Sequence, residues 1–67
     1  MGVHKVHKLE KGDIVKVIAG ERVGDVGVVL EKKYTSSNYQ FDKFLILLDG
    51  KVTSRNRQDL AFMSSQK

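Results

Sequence analysis

Nowhere in the 67 residues does an apolar stripe at helical spacing last for three turns; the apolar residues come instead in short runs closed by glycine or a polar turn. That pattern commits the chain to short strands and excludes helix bundles. No internal repeat or low-complexity block offers a different architecture.

Residues 13–18 (DIVKVI) are β-branched and lie between Gly12 and Gly20, with Val15 and Val17 on one face and Lys16 on the other. Past Gly20 and Gly24, residues 26–34 (VGVVLEKKY) read as a second strand, bent because Gly27 tolerates a bulge or a close backbone approach. Residues 35–40 (TSSNYQ) are a polar turn. Residues 43–48 (KFLILL) are apolar on both faces, as a central strand buried on both sides would be, and Asp49-Gly50 supplies a tight hairpin turn. Residues 51–54 form the returning strand, 55–59 a polar turn and 60–63 a short last strand.

The fold class is therefore all-β. We expect a single small closed barrel of five strands over residues 9–63, a flexible basic arm at 1–8 and a disordered tail at 64–67. The candidate core is Val15, Val17, Val29, Leu45, Leu47, Leu60 and Phe62, with Phe41 joining it.

A domain this short buries only about 60% of the surface of its unfolded chain. With no cysteine, neither disulfides nor thiolate zinc sites add stability, so the chain needs a compact core or a partner, a second copy of itself among the possibilities. No run nears the ~20 apolar residues of a membrane span, and residues 1–11 lack the apolar middle of a signal peptide. The expected location is the cytoplasm, that of the host if the protein is viral, with no membrane partner.

Residues 11–30, KGDIVKVIAGERVGDVGVVL, resemble the KOW motif of SH3-like barrels, a family that includes ribosomal proteins and NusG-type transcription elongation factors. The matching features are Gly12-Asp13 before the first strand, the alternating valines, Gly20, Gly24 and Gly27, and the apolar run after Gly27. The resemblance implies an SH3-like barrel whose first hairpin reverses at Gly20 and Gly24 without a Cβ, and it implies contact with RNA or a ribonucleoprotein. One departure stands out: ribosomal members carry a lysine-rich loop where this chain reads Glu21, Arg22, Val23, Gly24, Asp25. In length and element order the chain is also similar to small SH3-like proteins of tailed phages and to the barrel subunits at the stromal face of photosystem I.

The formal charge of +4 is uneven: residues 1–16 carry +2, residues 17–50 carry −1 and residues 51–67 carry +3. The ends of a small barrel approach one another, which would gather Lys5, Lys8 and Lys11 with Lys51, Arg55 and Arg57 into a basic patch suited to phosphate, Arg22 adding to it from the first loop. Arg55 and Arg57 are expected to project outward from a turn. Tyr34 and Tyr39 are candidate contacts for bases or for a protein partner. The same charges also suit an ordinary solvated surface.

Catalysis needs a nucleophile beside a base, a carboxylate pair in a cleft or a metal, and the sequence assembles none of them. His4 and His7 have only Glu10 close by, too few ligands for a metal. We expect no enzyme, cofactor or metal. The Val-Gln-Ile-Tyr segment of the plasmid-type dihydrofolate reductases, which are small barrels that catalyse, is absent, as is the Trp of proline-peptide-binding SH3 modules. The sequence thus reads as a non-catalytic module binding RNA, DNA or a ribonucleoprotein. The alternative is a protein-protein adaptor, phage-encoded or part of a larger assembly, that contacts its partner through the first loop and residues 35–40.

Overall fold

The computed structural model describes residues 8–65. Strands β1 (Ile14–Val17), β2 (Val26–Tyr34), β3 (Lys43–Leu48), β4 (Lys51–Asn56) and β5 (Leu60–Ser64) form one antiparallel sheet in the order β4-β3-β2-β1-β5. The only helical elements among the described residues are single 3-10 turns at Tyr39–Phe41 and Arg57–Asp59. No helix there is long and apolar enough to cross a membrane. The expected arm lies outside the described residues apart from Lys8, which is exposed; of the expected tail, Ser64 is the last residue of β5 and residues 66–67 lie outside.

The bounds of β2 and β3 are those the sequence suggests, whereas β4 runs two residues further, taking in Arg55 and Asn56. At the β3–β4 hairpin, Asp49 and Gly50 adopt φ of 50° and 76°, the double positive φ that matches strand twist in a two-residue turn. The turn between β1 and β2 also needs the left-handed region: Gly24 has φ of 98° and donates its N–H to the Val17 carbonyl at 2.8 Å. Gly27 serves another purpose. It sits in β2 where β3 crosses closely, and the irregularities of β2 lie further on, between Val29 and Glu31 and between Lys32 and Tyr34.

The core consists of Leu9, Val15, Val17, Val29, Phe44, Ile46, Leu48 and Leu60, with Phe62 half-buried against it. The expected pairing of Val15 with Val17 inside and Lys16 outside is found in β1. β3 corrects the expectation of a strand buried on both faces. Its pleat turns Phe44, Ile46 and Leu48 inward and leaves Leu47 38% exposed and Leu45 only half-buried. Phe41, expected in the core, is 46% exposed on the first 3-10 turn.

The ladder does not close into a barrel. β4 and β5 are its two ends, and the 3-10 turn Arg57–Asp59 between them sends β5 across to β1 instead of back along β4. The inward positions of β4, opposite Leu48, Ile46 and Phe44, are Lys51, Thr53 and Arg55, so no apolar contact draws β4 onto β5. From β4, Arg55 Nη2 reaches instead to the Glu21 carbonyl of the first turn at 3.3 Å, while the Ile18 N–H, bonded to the Asp59 carbonyl at 2.8 Å, prolongs the β1–β5 ladder.

Asp42, just before β3, ties the β2–β3 connection to the second 3-10 turn. Its carboxylate, in a residue only 7% exposed, accepts the Ser36 N–H at 2.7 Å and lies 3.4 Å from Lys32 Nζ, while its backbone carbonyl accepts the Arg57 N–H at 2.8 Å. The Ser36 N–H, helped by Lys32 and opposed by burial, holds this carboxyl below the ordinary carboxylate range. A depressed folded-state value means stability present above the unfolded value, about 3.9, and lost as pH falls through the folded one. Thermal melts of the wild type should therefore fall in temperature below about pH 4. Asp42→Asn should melt lower at neutral pH and lose less on acidification; an unchanged acid slope would remove Asp42 from this role.

Candidate nucleic-acid interface

The basic residues expected to form one patch have different surroundings. Lys51 opens β4 opposite Leu48 and Arg55 lies opposite Phe44, four residues on, which is about 13 Å along a strand. Lys8, Lys11 and Lys51 are exposed, and Lys5 lies outside the described residues. Arg22 is engaged by two carboxylates, Asp25 at 2.8 Å and Asp49 at 3.4 Å, and these raise its already high pKa.

Arg55 and Arg57 do not project outward. Arg55 stands on the inward phase of β4, where Nη1 donates to the Ser54 carbonyl at 3.0 Å and Nη2 to Glu21. Arg57 Nη1 donates to the Leu60 carbonyl at 2.7 Å, and burial lowers its pKa. The physical reason is that the turn expected at 55–59 is still strand at Arg55, so the pleat decides which way that side chain faces. Both guanidiniums brace backbone carbonyls that the open ladder would leave unpaired.

Three exposed aromatic residues lie at or within the β2–β3 connection. Tyr34, at the end of β2, is 57% exposed and pairs across the sheet with Lys43; Tyr39 and Phe41 are 47% and 46% exposed on the 3-10 turn that joins the two strands. That turn packs on the one at Arg57–Asp59. Asn38 starts it by accepting the Gln40 N–H at 3.1 Å. Lys33, which precedes Tyr34 in β2, and Lys43, which pairs with Tyr34, are both exposed. Flat rings interleaved with mobile cations are what stacked bases and their phosphates require. No protein-family model, curated protein or solved structure matches this chain.

Lys33 and Lys43 are not among the residues that the sequence singles out, and Phe41 is expected in the core rather than at the site. Lys43 was readable as a neighbour of the aromatics once strands 26–34 and 43–48 were paired antiparallel. The glycines and aspartate of the motif have structural places: Gly12 donates its N–H to the Val29 carbonyl at 2.8 Å, Asp13 is buried and accepts the Glu10 N–H at 2.9 Å, and Gly20 lies in the first turn with φ of 82°. His4 and His7 lie outside the described residues, and no group of three potential metal ligands occurs among those described.

Proposed function

We propose that this chain is a small SH3-like domain of the KOW type and a non-catalytic binding module for nucleic acid or a ribonucleoprotein. The strand order β4-β3-β2-β1-β5, the 3-10 turn before β5 and the glycine-marked first turn support the fold reading. The observation that carries the functional reading is the exposure of Tyr34, Tyr39 and Phe41 together with Lys33 and Lys43 at the β2–β3 connection, on a chain of net charge +4. It moves the contact surface from the basic ends of the chain to the β2–β3 connection. Arg22, Arg55 and Arg57 then act as braces and the lysines as phosphate contacts.

A second reading, a protein-protein adaptor, is favoured by a different surface. Ile14, Val28, Leu47 and Val52 are in direct cross-strand register over β1 to β4, on the face turned away from the core. Leu47 and Val52 are exposed, and the cluster of Arg22, Asp25 and Asp49 lies at one border, next to Val26. An apolar row with a charged rim is the anatomy of a protein interface.

One titration separates the two. Labelled single-stranded RNA, single-stranded DNA and duplex DNA are added to the protein at about 50 and 200 mM salt, a range over which a few phosphate contacts lose affinity steeply. Single strands should bind better than duplex, weaken as salt rises, and lose about 1–3 kcal/mol with Tyr34→Ala. No binding of any of them at low salt would sink the nucleic-acid reading and leave the apolar row as the surface to pursue.

A further inference from the structure

The seam left by the open ladder is a cleft of about 290 Å3. It is lined by Ser54, Arg55 and Asn56 at the end of β4, Glu21 of the first turn, Asp59 of the second 3-10 turn, and Lys43. Arg55 crosses it through its bond to the Glu21 carbonyl, and its Nε is buried with no hydrogen-bond partner among the described residues. Two cations and two carboxylates thus line one concavity. Among the described residues, Lys43, Glu21 and Asp59 form no ion pair, in contrast to Arg22 and Lys32.

A ligand suited to such a lining carries negative charge at one end and hydrogen-bond donors at the other. A nucleotide does so when its base has an exocyclic amino group. A carboxylate accepts from the N4 amino group of cytosine and repels the O4 carbonyl that thymine presents at the same place. The volume, at the low end of the ~300–1,000 Å3 of small-molecule sites, has room for one such unit. The approach is also furnished, because Lys43 pairs across the sheet with Tyr34 on one side and Asn56 on the other. A strand stacked on Tyr34 passes Lys43 and reaches the cleft.

We infer that this cleft is a single-nucleotide subsite that takes a base bearing an exocyclic amino group against Glu21 and Asp59 and its phosphate against Lys43. The inference rests on the nucleic-acid reading above and adds a base preference to it.

The test is fluorescence anisotropy at about 50 mM salt and neutral pH with labelled oligo(dC) and oligo(dT) of about eight nucleotides. The wild type should bind oligo(dC) about five- to tenfold more tightly than oligo(dT). Glu21→Gln and Asp59→Asn should each reduce that ratio, and the double variant should bring it to about one while still binding oligo(dT). Lys43→Ala should weaken both oligomers. Equal wild-type affinities, or a preference that survives both carboxylate changes, would overturn the subsite and leave the broader reading standing. Failure of the wild type to bind either oligomer would instead overturn the broader reading itself. Glu21 is exposed, so Glu21→Gln keeps the test readable if changes at Asp59 disturb folding.

Discussion

Replacing Ile46 by alanine is expected to cost about 2–5 kcal/mol, while the same change at Leu47, one residue along, should cost well under half as much. Ile46 is fully buried on the inward phase of β3, opposite Val29 and Thr53; Leu47 is 38% exposed on the outward phase, opposite Val28 and Val52. A buried side chain loses its transfer free energy and leaves a cavity, whereas an exposed one loses part of the first term and none of the second. At about 0.05–0.15 kcal/mol per residue the whole domain has roughly 3–10 kcal/mol of stability, so Ile46→Ala should leave it at or near unfolding at room temperature. Urea titrations give the comparison directly. Equal losses at the two positions would mean that β3 is buried on both faces, or that its register is shifted by one residue.

That contrast marks where the sequence stops being legible. Strand existence follows from β-branched runs and turn residues, and for β2 and β3 the bounds follow too. The phase of β3 is harder, because KFLILL offers five apolar residues in a row and no internal polar marker to say which alternate set faces the core. Lys43 and Asp49, both at odd positions flanking the run, carry the missing signal: they share the outward phase with Leu45 and Leu47. Phe41 illustrates a different limit. A phenylalanine in a polar stretch looks like a core anchor, yet Asp42 fixes the local backbone through Ser36 and Arg57, and the ring is left on the surface.

The candidate site was legible in its residue types and not in its arrangement. Composition and charge point to phosphate, and the tyrosines to stacking, but which cations are available depends on hydrogen bonds between residues far apart in the chain. Arg55 meets Glu21 across 34 positions and Arg22 meets Asp49 across 27. No local pattern encodes such braces. The first lies at the seam of the open ladder, and the opening in turn depends on the polar inward face of β4, which becomes visible only once the strands are paired.

The second large effect is expected at Gly27, where alanine should cost about 3 kcal/mol or more, at or beyond the upper end for overpacking. In most strand positions glycine is the weaker residue and alanine would help by restricting the unfolded chain. Here a Cβ would lie 2.5 Å from the Leu47 carbonyl oxygen, 2.5 Å from Leu48 Cδ2 and 2.8 Å from Ile46 Cγ2. The leucine methyl can rotate away, but the carbonyl belongs to the β3 backbone and moves only if the strand pairing moves with it. Gly20 is the opposite case, with nothing within 4 Å of its missing Cβ and a φ of 82°. Asparagine, which tolerates the left-handed region, should therefore be accepted at Gly20 with a small loss and rejected at Gly27. Denaturant titration of Gly20→Ala, Gly20→Asn, Gly27→Ala and Gly27→Asn distinguishes conformation from space. If asparagine recovers stability relative to alanine at Gly27 as it should at Gly20, backbone conformation and not the approach of β3 is what requires glycine there.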